Sequence, residues 1–593
     1  MAKTSGPDNH RVAIVTGRLR TGLILALVLL VALGTRLFWV QAVDPDGMAQ
    51  SAVDKRLMTV TVPALRGSIL DSKGNYLARS VERFDIVVDQ RLSQDIGEEY
   101  KRRDAEGKLQ DVTFDQAFGE LGAILGQDPD TLRSALLGDR GFNFVAKTVT
   151  PEIKEKVLAV KFPGVYADRT TLRTYPSGAV GGSIVGFLGT EGAQEGLELT
   201  QDEILAGEAG SKTYEIGGDG IRIPYATNED VPVHDGESLK LSIDQDLQWF
   251  AQQTIAAQVD EYGAEWGNIV VMEAETARVI ALAESTTVDP NNPGDTPADS
   301  RKARSVTDSF EPGSTTKVIT MAAAIEQGLI TPESHFELDS TYTVDGQTFK
   351  DAFEHGKQNM TAAGVLAKSM NTGTVQIGQQ LTPQERYDWL RKFGIGMPLN
   401  VGLNGETSGL LPAPENWDGR QQYTVLFGQG LTQTALHTAS VYQTIANDGV
   451  RIQPSIIDSV ITEDGTEQPV EKEPGTRVVS EDTAKQVQHM LETVTQDGSG
   501  KTGALKQYRV GSKTGTAEAP GPNGGYSGST LSYAGIAPME DPKYVVVVTL
   551  QRPQGDLYYI IPGQSFQKVM EQALVSNNVP PSTGKPETYP IEY

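Results

Sequence analysis

Three short motifs that lie far apart along the chain constrain its fold more than any other feature. A Ser-x-x-Lys motif contains Ser314 and Lys317, a Ser-Met-Asn motif contains Ser369 and Asn371, and Lys513 begins the sequence Lys-Thr-Gly-Thr. Serine, lysine and asparagine side chains can exchange protons and hold a peptide carbonyl when they share one site. We therefore expect a fold that brings these three distant segments together around one cleft.

Ser314 is predicted to lie in the first turn of a helix. Pro312 and Gly313 interrupt the chain just before it, and the apolar, alanine-rich residues 318–325 favour a helix. Helical spacing would let the Lys317 amine reach the Ser314 hydroxyl, and the free N–H groups of a helix N-terminus favour an oxyanion nearby. Lys317 can act as a base only if burial or positive charge lowers its pKa.

Each motif also has an ordinary structural interpretation. A Ser-x-x-Lys pair usually lies on a solvated helix face, and two further copies begin at Ser565, in a predicted terminal helix, and at Ser582, in a Pro-rich tail. Ser369 and Asn371, taken alone, are typical of a helix cap. A second Lys-Thr-Gly sequence begins at Lys501 and is predicted to be a mobile loop. Only the Ser314 copy is followed by the other two motifs in order.

The Lys513 motif is predicted to lie on a strand. Alternation along a strand directs Lys513 to one side and both Thr514 and Thr516 to the other. The two threonine hydroxyls would suit a substrate carboxylate. Gly515 is expected to leave room for a substrate backbone lying against the strand.

The N-terminus predicts a membrane anchor. Residues 21–43 form a predominantly apolar run of about the length that crosses a bilayer. Basic residues before this run and acidic residues after it predict a cytoplasmic tail at 1–20 and an extracytoplasmic remainder. A cleaved signal peptide is the alternative, and it is disfavoured because no small-x-small site follows the run directly. Arg36 would snorkel to the outer interface or face a partner helix.

Composition excludes several classes of function. The 593-residue chain has a net charge of -26 and a pI near 4.7, which argues against nucleic acid as a partner. The absence of cysteine excludes disulfides and cysteine-ligated zinc. No cofactor or metal is expected.

The length predicts several domains. Residues 66–78 predict a β-hairpin, a Gly-rich run covers 186–220, and the polar residues 226–236 predict a linker. After this linker, a helix capped by Asp244 is predicted from its apolar periodicity. Helices between strands at both ends of this part favour one sheet sandwiched by helices, with strands predicted at 268–273, 278–283, 508–517, 532–537 and 544–550 and a closing helix at 565–575. The predicted segments are a domain at 44–235, a second domain at 236–575 and the Pro-rich tail at 576–593.

These motifs resemble the class B high-molecular-weight penicillin-binding proteins, most closely the cell-division type. The hairpin at 66–78 resembles a segment found near the membrane anchor of that family, and Glu311, Pro312 and Gly313 precede the serine as they do there. The sequence departs from the family where Ala303, Arg304 and Ser305 replace a common Asn-Arg-Ala, and where Met370 replaces a frequent serine. The resemblance implies an α+β multidomain fold with one transmembrane helix, an extended pedestal (dimerisation-type) domain and a penicillin-binding transpeptidase domain.

The resemblance also implies the reaction and its participants. In DD-transpeptidation of peptidoglycan, Ser314 would attack a stem peptide with Lys317 as base, and Ser369 and Lys513 would carry the proton to the leaving D-alanine. The Asn371 amide would hold a peptide carbonyl or orient a lysine, and Thr514, Gly515 and Thr516 would bind substrate. The implied partners are stem peptides, β-lactam antibiotics, the membrane, a multi-span glycan polymerase and other division proteins.

Competing functions are distinguished by their own motifs. A class A β-lactamase needs a Glu-x-x-Leu-Asn pattern, and neither Leu399-Asn400 nor Leu403-Asn404 has the glutamate. A Ser-His-Asp hydrolase is disfavoured because no Gly-x-Ser-x-Gly sequence occurs and the six histidines are scattered. A β-lactam-binding sensor and a catalytically idle division scaffold remain the alternatives.

Overall fold

The structure is a computed structural model that describes residues 9–39, 41, 54, 56–94, 96–103, 107–215, 229–521, 525–555 and 560–593. It divides into two compact units, one of residues 1–63 and 209–234 and the other of residues 64–208 and 235–593. The first unit contains the helix Asn9–Phe38 and an antiparallel sheet of Leu57–Val62, Gly210–Glu215 and Glu229–Val231.

The N-terminal helix has the length and composition of a membrane span. Residues 17–38 have a mean hydropathy of 2.2, and none of their side chains is buried within the protein. An apolar N-terminal helix is therefore confirmed, and it is the one such span among the described residues. Of the predicted anchor at 21–43, residues 40, 42 and 43 lie outside the described residues.

The predicted linker at 226–236 is only partly described. Residues 216–228 lie outside the described part of the chain. The prediction is wrong for residues 229–231, which form a strand paired with residues 211–213. Backbone pairing with a distant strand explains the difference, because it stabilises a segment whose polar side chains alone indicate a loop.

The larger unit is built on a five-stranded antiparallel sheet. The strand order across the sheet is Val279–Glu284, Trp266–Glu273, Tyr544–Gln551, Tyr526–Ala537 and Gly511–Pro520. Each of the five overlaps a predicted strand, although Tyr526–Ala537 begins six residues before the predicted start at 532. The strand that carries Lys513 lies at one edge of the sheet, where it can border a cleft.

Helices cover both faces of this sheet, as predicted. Ile269 and Val271 point to one face, which packs against the helices Gln245–Tyr262 and Ile561–Ser576. Val270 and Met272 point to the other face, which packs with the helices Lys317–Glu326 and Ala435–Ala446. The predicted cap of the first helix is confirmed, because the Asp244 carboxylate accepts hydrogen bonds from the N–H groups of Asp246 and Leu247.

Further helices and strands belong to the part of the unit beyond residue 235. The helices are Arg304–Thr307, Ala362–Ala367, Asn371–Gly378, Pro383–Lys392, Gln421–Thr424 and Glu481–Asp497. The strands are Ser238–Leu241, His335–Leu338, Thr341–Val344, Gln347–Lys350, Gln358–Thr361, Val450–Arg451, Ile457–Ile461, Glu467–Pro469 and Thr476–Arg477.

The part of the unit at 64–208 has small helices and contributes four strands to a seven-stranded sheet, whose other three strands lie beyond residue 235. The described helices are Arg91–Gln94, Phe114–Leu125, Pro129–Leu136, Pro151–Ala159, Gly182–Val185, Gly196–Thr200 and Asp202–Leu205. The described strands are Ile69–Leu70, Tyr76–Val88, Glu99–Arg103, Leu109–Thr113, Asn143–Val149, Val165–Thr174, Leu188–Gly189 and Gly192–Ala193.

The hairpin predicted at 66–78 is confirmed. Ile69 pairs with Ala78, and the buried Asp71 carboxylate accepts hydrogen bonds from the Lys73 and Asn75 backbone N–H groups in the turn. Arg66 and Arg173 both donate to the fully buried Glu198 carboxylate, at 2.6 and 2.7 Å. These polar groups therefore serve the structure of the segment.

The C-terminal tail packs on the folded domain. The Ile591 carbonyl accepts a hydrogen bond from the Thr361 N–H, and the Tyr593 ring stacks on His335 with 3.6 Å between centroids. The Glu587 N–H donates to the Glu492 carboxylate, which also forms a buried ion pair with Arg509 at 2.6 Å. Residues 587–593 therefore contact the strand Gln358–Thr361, which precedes the Ser369 motif, and the helix Glu481–Asp497.

We expect Arg509→Met to destabilise the larger unit strongly. The Glu492 side chain is fully buried, and loss of its cation would leave an unpaired carboxylate, a change that costs about 3–5 kcal/mol in the free energy of unfolding. Chemical denaturation of the detergent-solubilised protein measures this loss. Lys101→Met, which removes an exposed pair with Asp111, is the control that should change little. Equal effects of the two substitutions would contradict the assignment.

Candidate active site

Ser314 lies on a tight turn beside the edge strand. Residues 313–316 form a 3-10 turn, and the α-helix begins only at Lys317, so the predicted first α-helical turn is a 3-10 turn instead. Gly313 has a φ of +56°, and a Cβ there would lie 2.4 Å from the Thr516 carbonyl oxygen. Only glycine fits this position, because the nucleophile turn and the edge strand are in direct contact.

The two lysines of the motifs converge on Ser369. Lys317 Nζ donates to Asn371 Oδ1 at 2.8 Å and to the Ser369 carbonyl at 2.7 Å, and it lies 3.5 Å from Ser369 Oγ. Lys513 Nζ donates to Ser369 Oγ at 2.8 Å and to the Thr514 carbonyl at 3.0 Å. The fold thus joins all three motifs in one hydrogen-bonded cluster.

The Ser314 hydroxyl remains outside this cluster. It is half-buried, and no described residue forms a hydrogen bond with it. The predicted contact from Lys317 is therefore replaced by the bonds to Asn371 and Ser369. Hydrogen bonds to a nucleophile are often longer before substrate binds than in the reactive complex. The hydroxyl is left available to a substrate.

Burial controls the protonation of both lysines. Neither side chain has solvent-exposed surface. Burial lowers the pKa of Lys317 to about 7, although the negative charge of Asp351 opposes the change. Burial and the positive charge of Lys317 lower the pKa of Lys513 well below its usual value. A neutral amine, which can accept a proton, is therefore populated at physiological pH.

Ser369 has a strained backbone that serves this arrangement. Its φ of +57° lies in the left-handed region that residues other than glycine seldom adopt. In this conformation the carbonyl of Ser369 faces Lys317 while its hydroxyl faces Lys513. Strain of this kind is found at functional sites, where the surrounding structure holds it. The sequence alone gave no indication of it.

The residues predicted to bind substrate differ in their surroundings. Thr516 is exposed, whereas the buried Thr514 hydroxyl donates to Ser499 Oγ at 3.0 Å. A Cβ at Gly515 would lie 2.1 Å from Ser532 Oγ and 2.8 Å from the Pro312 carbonyl oxygen. The glycine is thus required by packing against the nucleophile turn, which differs from the expected role of leaving room for substrate.

Ser499 is a site residue that the sequence reading missed. The segment at 501–503, predicted to be a mobile loop, is a 3-10 turn, and a Cβ at Gly503 would lie 2.2 Å from the Tyr533 hydroxyl. This packing fixes the segment, so the prediction is wrong. The Ser499 N–H donates to the Ala367 carbonyl at 3.0 Å, which places Ser499 beside the Ser369 motif. In the sequence, only the small residues on either side of Ser499 could have indicated this position.

The other Ser-x-x-Lys copies have structural surroundings. Ser565 lies in the helix Ile561–Ser576, which confirms its predicted position in a terminal helix, and its side chain is buried. Ser582 Oγ accepts a hydrogen bond from the Arg509 N–H and donates to Glu540. Ser314 therefore differs from both in lying beside the lysine cluster.

A five-stranded sheet between helices, with a Ser-x-x-Lys turn facing a Lys-Thr-Gly strand, defines a serine acyltransferase of the penicillin-binding type. Residues 267–571 match the penicillin-binding protein transpeptidase domain, and residues 61–241 match the penicillin-binding protein dimerisation domain. The chain belongs to the class B penicillin-binding proteins, of the septal peptidoglycan D,D-transpeptidase type.

Relatives match along almost the whole chain. Penicillin-binding protein PbpB of Mycolicibacterium smegmatis is 36% identical over 96% of this chain and 92% of its own length. Peptidoglycan D,D-transpeptidase FtsI of Escherichia coli K12 is 31% identical over 94% of this chain and 91% of its own. The similarity therefore spans most of this chain and most of each relative.

Solved structures share the fold. A peptidoglycan synthetase from Bifidobacterium adolescentis is 30% identical, with a TM-score of 0.75 over 91% of this chain and 100% of its own. Penicillin binding protein 3 from Mycobacterium tuberculosis, complexed with aztreonam, is 28% identical, with a TM-score of 0.68 over 90% of this chain and 100% of its own. The predicted α+β fold class is confirmed.

Acylation by a β-lactam should depend on pH through Lys317. Its pKa of about 7 means that the neutral base is depleted in acid, so the acylation rate constant should rise through pH 7 and level off above it. At pH 6 we expect roughly one tenth of the plateau value. Stopped-flow measurement with a fluorescent penicillin tests this. A rate constant that stays flat between about pH 5.5 and 8 would show that Lys317 is not the base.

Proposed function

We propose that this protein cross-links peptidoglycan stem peptides at the division septum through an acyl-enzyme on Ser314. The observation that carries the proposal is the buried cluster in which Lys317 and Lys513 both contact Ser369, next to the Ser314 turn. This cluster can take a proton from one group and deliver it to another. The family membership and the matched D,D-transpeptidase relatives support the same reaction.

Acylation begins when Ser314 Oγ attacks the carbonyl carbon between the two terminal D-alanines. Neutral Lys317 accepts the hydroxyl proton, and the carbonyl oxygen becomes an oxyanion held by the backbone N–H groups of Ser314 and Thr516. Each such donor contributes roughly 3 kcal/mol to the transition state. The adjacency of Gly313 and the Thr516 backbone supports this placement.

The leaving group receives its proton through Ser369. Lys513 donates to Ser369 Oγ, so Ser369 can pass its proton to the D-alanine nitrogen as the peptide bond breaks. Asn371 holds Lys317 and the peptide. The exposed Thr516 hydroxyl binds the substrate carboxylate, and the Thr514 hydroxyl joins it when its hydrogen turns from Ser499 to the substrate. An amine of a second stem peptide then attacks the Ser314 ester, and the cross-link forms as the serine regains its proton.

The same serine would react with β-lactams. The β-lactam amide carbonyl would occupy the position of the D-alanyl carbonyl, and the ring would open as Ser314 acylates. The M. tuberculosis penicillin binding protein 3 in complex with aztreonam or with ampicillin supports this proposal by its similarity to the present chain.

The N-terminus is proposed to be cytoplasmic and the catalytic domain extracytoplasmic. Arg18 and Arg20 precede most of the apolar helix, and basic residues favour the cytoplasmic side. The helix exposes all its side chains between residues 17 and 38, a surface suited to lipid and to the helices of a partner. We propose a multi-span glycan polymerase and other division proteins as partners.

We propose the same division of the chain that the sequence predicts. It has a tail at 1–20, an anchor at 21–43, a pedestal at 44–235, a transpeptidase domain at 236–575 and a tail at 576–593. The domain matches at 61–241 and 267–571 support a junction near residue 236.

Ser314→Ala should abolish covalent labelling of the membrane-bound protein by a fluorescent penicillin, because the ester oxygen is removed. Ser565→Ala is the matched control, since Ser565 begins another Ser-x-x-Lys sequence and should label normally. Gel fluorescence measures labelling, and thermal unfolding verifies that each variant is folded. Persistent labelling of folded Ser314→Ala would refute the assignment of the nucleophile.

A further inference from the structure

Asp351 lies directly behind the Ser369 motif, just after the strand Gln347–Lys350. Its carboxylate accepts a hydrogen bond from the Thr372 N–H at 3.0 Å through Oδ1 and from the Thr372 hydroxyl at 2.8 Å through Oδ2. Only 6% of its side chain is exposed. A carboxylate here holds the N-terminus of the helix Asn371–Gly378, where negative charge is favourable.

Lys350, the residue before Asp351, fixes the side-chain amide of Asn371. Asn371 Nδ2 donates to the Lys350 carbonyl at 3.0 Å, and Asn371 Oδ1 accepts from Lys317 Nζ at 2.8 Å. A carbonyl can only accept, so this bond turns the NH₂ group of Asn371 away from the lysine and its oxygen towards it. The adjacent residues Lys350 and Asp351 therefore hold the adjacent residues Asn371 and Thr372.

His355 holds Asp351 from the other side. Its Nε2 lies 3.0 Å from Asp351 Oδ2, and its Nδ1 lies 2.7 Å from the Gly356 carbonyl oxygen. Burial alone would lower the pKa of His355, but these contacts with the Gly356 carbonyl and Asp351 favour the doubly protonated ring, and the pKa of His355 is raised. The Asp351 carboxylate therefore lies between the His355 imidazole and a helix N-terminus.

We propose that Asp351 is a positioning residue for acyl transfer, which sets the Asn371 amide so that its oxygen holds Lys317. The proposal rests on the function proposed above. It assigns to Asp351 two effects on Lys317, one through hydrogen-bond geometry and one through charge.

The charge effect acts against burial. Burial is the larger influence on Lys317 and lowers its pKa, and the negative Asp351 limits that decrease. The other charged group of the cluster is Lys513, which is buried with it. His355, paired with Asp351, also contributes charge on this side. Removal of the Asp351 charge should therefore lower the pKa of Lys317 further.

Two substitutions separate the two effects in the full-length protein in detergent. Asp351→Asn keeps an oxygen that can accept from the Thr372 N–H but removes the charge, so the midpoint of the acylation pH profile should move to lower pH. Asp351→Ala removes the hydrogen bonds as well, so the plateau rate constant should fall about 10- to 100-fold, as misplacement of a catalytic group does.

Glu326→Gln is the matched control. The Glu326 carboxylate accepts hydrogen bonds from the Ser480 N–H and hydroxyl at 2.9 and 2.8 Å, and so holds another helix N-terminus in the same way. It should lower the melting temperature while leaving the pH midpoint and the plateau unchanged.

The results distinguish this proposal from the proposed function. Asp351 variants that lose thermal stability with an unchanged midpoint and plateau, like Glu326→Gln, would overturn the positioning role. Failure of the proposed function itself would appear differently, as wild-type protein that is not labelled at Ser314. A shifted midpoint in Asp351→Asn together with a reduced plateau in Asp351→Ala would support the proposal.

Discussion

The structure depends on placing two lysine amines around one buried hydroxyl. Lys317 and Lys513 have no exposed surface and both contact Ser369. Two ammonium ions at this separation repel each other strongly in a medium of low dielectric constant, and each also loses its hydration. Burial lowers the pKa of both amines, so the pair carries fewer than two positive charges near neutrality. A lysine amine that has lost its positive charge can accept a proton and so act as a base.

The surrounding fold holds these amines in place. The edge strand Gly511–Pro520 carries Lys513, and two glycines, Gly313 and Gly515, let it approach the nucleophile turn closely. The helical side contributes the strained Ser369 and, through Lys350 and Asp351, the oriented Asn371. Each contact joins segments that are distant in sequence. Tertiary packing thus builds the site.

The sequence predicted the elements whose signals are local. The helix after Asp244 has a periodic apolar face and a capping residue, and the strand Trp266–Glu273 is an apolar run, so both were found within a few residues. The three motifs were identified because their order is specific. Features set by distant partners were missed, such as the Ser499 contact with Thr514 and the docking of Ile591 on Thr361. No local pattern encodes which distant carbonyl or hydroxyl will face a residue.

The most direct test of the account is to locate the acyl group by mass spectrometry after penicillin treatment and trypsin digestion. Cleavage after Arg304 and Lys317 gives the peptide 305–317, and cleavage after Lys368 and Arg386 gives the peptide 369–386. The account predicts one penicilloyl mass on the first peptide, which fragmentation assigns to Ser314. A penicilloyl group on Ser369 instead would contradict it, because Ser369 would then be the nucleophile and not the proton carrier.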